Sequence, residues 1–464
     1  MDETLPADDD AVEALREQLR GSLLRPGETG YEQARTIWNA MIDREPAVIA
    51  RCEGTADVIS AVNYAREHDR LLAVKGGGHN VAGNAVCDDG VMIDLEPMDT
   101  VRVGPDLKTA RVGPGATLSD FDHEAQAFGL ATPLGINSTT GVAGLTLGGG
   151  FGWLSWKYGL TVDNLRSVDL VTADGELIHA SEDENEELFW GLRGGGGNFG
   201  VVTSFEFDLH EIGPELLCGP VVFDIEEAHT VLRNWRDYIQ DIPGELTVWV
   251  DMFTAPEFPF LDEAYYGEPV VGVVGFYTED VEDGEQYAED VRAFGTPVGD
   301  AFIPHQYAGF QSALDDFGPP GDRNYWKSHN VAEFTDDALD TAIEYAKNMP
   351  TPYGEILLVH LGGAVSRVPA DATAYPHRNS EFLTNIHSRW KDPSMDEECI
   401  AWAREYFEEI TPHATGGTYV NFISESEGEE SMAYRDHYHR LVQLKNEWDP
   451  ENLFRMNQNI EPTV

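Results

Sequence analysis

The chain has 464 residues, more than one ordinary hydrophobic core needs, and carries 30 basic against 83 acidic residues for a formal charge of −53. That balance excludes nucleic-acid and anionic-membrane partners, which require basic patches. Hydrophobic content of 42% and aromatic content of 10% exclude a disordered acidic chain.

Acidic excess runs along the whole sequence, and lysine is scarce. This is the composition expected of adaptation to molar salt, where a Debye length of about 3 Å screens self-repulsion. The first residues, Met1–Asp10, contain no basic region, twin arginine or apolar run, so no export signal is expected. No stretch approaches the ~20 apolar residues of a membrane span. A soluble, cytoplasmic protein is the expectation. Cys52, Cys87, Cys218 and Cys399 lack zinc or redox spacing and read as buried free thiols, and no metal site is expected.

A helix is predicted near Ala11–Arg20 and a strand over Pro46–Cys52. Thr55 is placed as the N-cap of a helix running to Asp69, with Val58, Val62 and Ala65 on one face. The next strand ends at Lys75. Further strands are expected at Val91–Leu95, Thr109–Val112 and Leu165–Ala173, the last closed by a hairpin turn at Asp174-Gly175. A helix is expected over Thr117–Phe128. Beyond Pro214 the pattern predicts strands at Pro220–Phe223, Leu246–Phe253, Val270–Tyr277, Glu355–Leu361 and Glu381–Trp390. Helices are expected at Glu226–Ile239, Asp283–Phe294 and Asp396–Ile410. Thr254–Tyr266 and Ala301–Tyr325 read as long loops. The second half is thus an α+β unit with an antiparallel sheet.

Three glycine clusters punctuate the first half. Lys75-Gly76-Gly77-Gly78-His79-Asn80 follows an apolar strand, so bare backbone N–H groups can converge on an anion, with Lys75 adding charge at the mouth. Gly141–Gly152 and Arg193–Gly200 are the others. The last contains a formal G-x-G-x-x-G at Gly195, Gly197 and Gly200. That fingerprint needs a strand before it and a helix after it. Here a helical stretch, Glu184–Leu192, precedes it and an alternating strand, Val201–Phe207, follows, so a nicotinamide-type dinucleotide fold is rejected.

Five segments, in order, carry a family resemblance: Lys75–Gly83, Thr139–Gly152, Leu154–Asn164, Phe189–Thr203 and Asn452–Ile460. Through them the chain resembles FAD-linked oxidases of the vanillyl-alcohol oxidase / p-cresol methylhydroxylase superfamily, in the berberine-bridge-enzyme-like and 6-hydroxynicotine-oxidase-like branch. The resemblance implies an α+β fold. Residues 1–213 (core about 42–213) form an FAD-binding domain of two α/β subdomains, 214–415 a substrate domain, and 416–464 a return that completes the first domain.

It further implies FAD held covalently by His79. Many members of the branch place a second, cysteinyl tether where this chain has Asn137, so a single linkage is expected. Phosphate and ring contacts are implied for Lys75, Gly76, Gly77, Gly78, Asn80, Gly83, Thr139, Thr140, Gly144, Gly148, Gly149, Gly152, Asn164, Val202, Asn457 and Asn459. Substrate-side candidates for proton transfer are Tyr419, Asn421, Lys327 and His360. The implied reaction takes hydride from a CH–OH or CH–NH carbon to flavin N5. With no carboxylate cluster evident for a cationic amine, a sugar or other hydroxylated substrate is favoured. The alternatives are a dehydrogenase using a non-oxygen acceptor and a catalytically silent flavin-binding protein. Partners are the small-molecule substrate and dioxygen or another acceptor, on a monomer or small homo-oligomer.

Overall fold

The computed structural model describes residues 9–424 and 430–463. The Met1–Asp8 part of the segment read for an export signal lies outside them. Within them, strands Val48–Arg51, Val91–Asp94 and Leu72–Lys75 lie side by side in parallel, with Ser22–Leu24 antiparallel along one edge. Val48, Ile49, Ala50, Met92 and Ile93 are all fully buried, as a parallel sheet covered on both faces requires. Helix Thr55–Glu67 supplies the crossover and buries Val58, Ala61, Val62 and Ala65. Gly54, not Thr55, is its N-cap, and no side chain caps it. Thr55 is instead the first helical residue.

A second sheet is antiparallel, in the order Val101–Gly104, Thr109–Val112, Val201–Asp208, Leu165–Val171, Leu177–Ser181. The Asp174-Gly175 hairpin joins its last two strands, and Gly175 N–H donates to Thr172 O at 3.0 Å. Helix Leu118–Gln126 starts from a capping box, with Thr117 and Asp120 satisfying each other's backbone N–H groups. The third glycine cluster lies between helix Glu186–Leu192 and strand Val201–Asp208.

The third sheet has eight strands, all antiparallel. Its central run is Glu215–Asp224, Pro269–Tyr277, Leu246–Thr254, Glu355–His360, Phe382–Trp390 and Arg323–Val331. Alternation along each strand divides its two faces. Val248, Val250, Met252, Ile356, Leu358 and Ile386 join a core beneath helices Ala228–Tyr238, Asp336–Lys347 and Asp396–Ile410. The opposite face presents Trp249, Asp251, Glu355, Leu357, Asn385, His387, Asn324 and Trp326 to a cavity. Strand Arg323–Val331 and helix Asp336–Lys347 have no counterpart among the predicted elements. The expected loop Ala301–Tyr325 runs into that strand and includes the short strand Ile303–Gln306.

The C-terminal segment packs against the glycine-rich half. Helix Tyr438–Trp448 lies on helix Glu186–Leu192 and buries Leu441 and Leu444. Lys445 Nζ donates to Asn198 O, Phe454 O and the Asp449 carboxylate, with both side chains 0% exposed. Asn198 Oδ1 accepts from Ile460 N–H at 3.0 Å. All four cysteines are free and buried. Among the described residues, no helix is long and apolar enough to cross a membrane.

Candidate active site

One wall of the cavity is glycine-rich backbone. Gly76, Gly77, Gly78, His79, Asn80, Thr140, Gly141 and Gly144 line it. The first two glycine loops meet here: a Cβ added at Gly77 would stand 2.5 Å from Gly141 N, so only glycine permits the approach. Gly78 has φ 69°, a left-handed conformation that L side chains rarely adopt. Among the described residues, the N–H groups of Gly76, Gly77, Gly78, His79 and Asn80 donate to no protein acceptor. A loop of unspent backbone donors at the end of a parallel strand is the geometry that receives a phosphate-bearing cofactor. At the C-terminal return, Asn457 Oδ1 and Asn459 Oδ1 are buried without a partner, which suits further polar contacts to such a group.

His79 sits where the glycine wall meets an aromatic one, stacked on Trp38 with ring centroids 5.1 Å apart. Burial lowers its pKa to about 4, so the ring is neutral at physiological pH. Its Nε2 lies 2.9 Å from Thr139 Oγ1, which in turn is 2.6 Å from Asn137 Oδ1.

Several residues expected at the cofactor lie outside the lining of this cavity. Lys75 does not offer charge at the mouth: its ammonium pairs with Glu96 at 2.7 Å and Ala34 O at 3.0 Å, inside the fold. Gly83 closes the turn through its N–H to Asn80 O. Gly148, Gly149 and Gly152 make room for Asn421, Tyr375 and Leu134 O, respectively. Asn164 spends its amide on Tyr158 O, Leu160 O and His210. Val202 is core, paired with Leu170 beside a register shift.

The substrate-side candidates divide. Tyr419 and Asn421 line the cavity. Tyr419 Oη accepts from Gly150 N–H at 3.0 Å and from Asn421 Nδ2 at 2.9 Å, so its own proton is left to donate. Burial pushes its pKa up to about 12. Lys327 and His360 are not among the lining residues. Strand alternation turns Lys327 away from Trp326, to the helix side, where its ammonium stands 4.5 Å from the Phe407 ring centre. His360 packs between Trp156 and Phe382, and burial lowers its pKa to about 4.

The opposing wall holds polar groups that sequence reading missed. Asp251 lines the cavity with Oδ1 buried and without a hydrogen bond. Burial, then the neighbouring Glu355 charge, raises its pKa well above the ordinary carboxylate value. Glu355 accepts a short hydrogen bond from His387 Nδ1. Asn385 Nδ2 donates to Lys327 O at 3.1 Å, which turns Asn385 Oδ1 onto His387 Nε2. Both ring nitrogens of His387 therefore face side-chain oxygens. Trp326 stacks on that ring at 3.9 Å between centroids. Arg389 lines the wall but is committed to Asp322 and Tyr353 O. The expectation that no carboxylate cluster faces the substrate is thus corrected. Asp251 and Glu355 are 104 positions apart in the chain and meet only because strands Leu246–Thr254 and Glu355–His360 pair.

Unpaired backbone donors, a buried histidine beside them and a polar wall opposite make this cavity suited to a phosphate-bearing redox cofactor and its substrate. Comparison with known proteins agrees. Residues 46–181 match the family model described as "FAD binding domain", and 418–461 the one described as "Berberine and berberine like". An FAD-linked oxidoreductase of Dictyostelium discoideum is 33% identical over 97% of each chain. The (R)-6-hydroxynicotine oxidase of Paenarthrobacter nicotinovorans is 30% identical over 96% of this chain and 97% of its own. The structure of xylooligosaccharide oxidase from Myceliophthora thermophila, in complex with xylobiose, superposes with a TM-score of 0.84, 25% identity and coverage of 98% and 100%. The chain belongs to the berberine-like FAD-linked oxidoreductases.

Proposed function

We propose that the protein is an FAD-dependent oxidase of a hydroxylated substrate, a sugar foremost, with the flavin linked once, through His79, and dioxygen or another acceptor completing the cycle. The observation that carries this reading is the single cavity shared by the glycine loops around His79 and the polar wall of Asp251, Glu355, Asn385 and His387. Bound FAD supplies a two-electron acceptor for the hydride of the substrate C–H bond.

The chain's residues do the rest. The N–H groups of Gly76–Asn80 hold phosphate. Trp249, Trp326 and Phe422 give apolar faces on which a sugar ring or heterocycle stacks. Tyr419 keeps its proton and donates a hydrogen bond to the substrate oxygen. Asp251 Oδ1 takes the hydroxyl proton, because it faces the cavity without a competing hydrogen-bond partner and burial raises its basicity above that of an ordinary carboxylate. The hydrogen bond from His387 holds the Glu355 side chain in place beside it.

Residues 416–464 complete the cofactor-binding unit, supported by Lys445, Asn198 and Ile460. The charge of −53 supports a working environment of high salt. One observation favours a second substrate class: Asp251 and Glu355 together offer a carboxylate pair to a cationic amine. Anaerobic mixing with a panel of sugars, alcohols and amines tests both readings. Bleaching of the flavin spectrum by hydroxylated compounds supports the first reading, bleaching by amines alone supports the second, and no bleaching by any class leaves a silent flavoprotein.

A further inference from the structure

We propose that Asn137 and Thr139 form a relay that fixes the tautomer of His79 and makes Nδ1 the nitrogen that bonds the flavin. The inference rests on the His79 linkage proposed above and assigns to Asn137 a positive role.

The proton positions follow from the donors and acceptors. Thr139 N–H donates to Asn137 Oδ1 at 3.1 Å. A backbone N–H can only donate, so this contact identifies the Asn137 atom as oxygen and fixes the amide orientation. The same oxygen stands 2.6 Å from Thr139 Oγ1, so the threonine hydroxyl must spend its single proton there. Thr139 Oγ1 then has only lone pairs for His79 Nε2, 2.9 Å away. Nε2 must carry the hydrogen, and Nδ1 keeps its lone pair. Among the described residues Nδ1 makes no hydrogen bond, and His79 lines the cavity. Burial, by keeping the ring neutral, preserves that lone pair. Stacking on Trp38 holds the ring plane.

The covalent step balances as follows. The Nδ1 lone pair forms a C–N bond to the flavin's ring-carbon-8 methyl carbon, which loses one proton to solvent. The C–H electron pair enters the flavin, reducing it by two electrons. The imidazolium so formed releases its Nε2 proton. Dioxygen takes up the two electrons with two protons to give hydrogen peroxide, and oxidised flavin remains attached. The relay acts before the bond forms, by keeping the reacting lone pair on Nδ1 and holding the ring's orientation. Asn137 and Thr139 are positioning residues here.

The test follows flavin attachment rather than turnover. Protein produced without flavin is mixed with FAD, and the attached fraction is followed over time by flavin fluorescence of the denatured polypeptide. The linked nitrogen is identified by NMR of the isolated His79 peptide. Wild type is expected to attach flavin through Nδ1. Thr139→Val and Asn137→Ala should attach it some fivefold to tenfold more slowly, the loss of one to two net hydrogen bonds, with part of the product shifted to Nε2. Thr139→Ser should restore the wild-type rate and isomer. Retention of non-covalent FAD by each variant shows that the cavity is still folded. Linkage through Nε2 in wild type, or unchanged rate and isomer in Thr139→Val, overturns the relay while the His79 linkage stands. Flavin released entirely from denatured wild type overturns the linkage, and with it the relay. Flavin attached in His79→Ala identifies a different tether and has the same consequence.

Discussion

Asp122 should make the protein less stable as the pH rises from acid to neutral. The residue lies on helix Leu118–Gln126 and is 2% exposed. Its Oδ2 accepts one hydrogen bond from Gln311 Nε2 at 3.2 Å, and its Oδ1 is buried without a partner. Buried Tyr307, on the same helix as Gln311, lies close enough for the Asp122 charge to raise its own pKa further. Burial lifts the Asp122 carboxyl from 3.8 to about 7, and the Gln311 hydrogen bond offsets only part of that rise. The folded state therefore keeps a proton that the unfolded chain releases above pH ~4. This contribution is fully present below the unfolded pKa and is lost as pH rises through the folded one. A shift of about three pH units, at roughly 1.4 kcal/mol each, makes the loss about 4 kcal/mol between pH ~4 and pH ~7. Other carboxylates titrate over the same range, so the comparison must be with Asp122→Asn, which is isosteric and cannot ionise. Denaturant unfolding of both proteins across this range, in molar potassium chloride, gives the difference directly. The variant should gain on wild type by up to about 4 kcal/mol as the pH rises. Parallel stability curves would show that Asp122 ionises freely in the folded state and refute the reasoning.

Salt should act on the whole molecule. Lowering potassium chloride from molar to ~0.1 M extends the Debye length from about 3 Å to about 10 Å, so the −53 charge should reduce the melting temperature. An unchanged melting temperature would contradict adaptation to high salt. Ending the chain near Pro412 should abolish FAD retention, because Asn198 and the glycine cluster around it lose Lys445 and Ile460 as partners. Normal FAD binding by that truncated chain would make the C-terminal return dispensable.

The cofactor side of the molecule was legible because its signals are local. Glycine loops, the strand before Gly76 and the histidine after it are contiguous in sequence, and the Thr109–Val112 strand and Asp396–Ile410 helix were bounded correctly from pattern alone. The substrate side was not legible, because its chemistry is assembled by strand pairing. Asn385, His387 and Arg389 share one face of a strand that was predicted, and reading that polar alternation would have found them. Asp251 carries no such mark, because Trp249 and Phe253, its neighbours on the same face, are apolar. Lys327 was misplaced for a related reason: Arg323–Val331 was not recognised as a strand over its length, so nothing in the pattern said that Lys327 and Trp326 point to opposite faces. Lys75 was misread because Glu96, which pairs with it, lies two residues beyond the neighbouring parallel strand.

The central claim is that one cavity joins flavin reduction to proton removal by Asp251. Its most direct test is anaerobic stopped-flow reduction of the bound flavin by the best substrate from the panel, in wild type and Asp251→Asn. Wild type should bleach with a rate that rises with pH as Asp251 loses its proton. The variant, with flavin still bound, should bleach about 10²- to 10⁴-fold more slowly, the usual contribution of a positioned general base, and without that pH dependence. Equal rates and equal pH profiles in the two proteins would contradict the assignment.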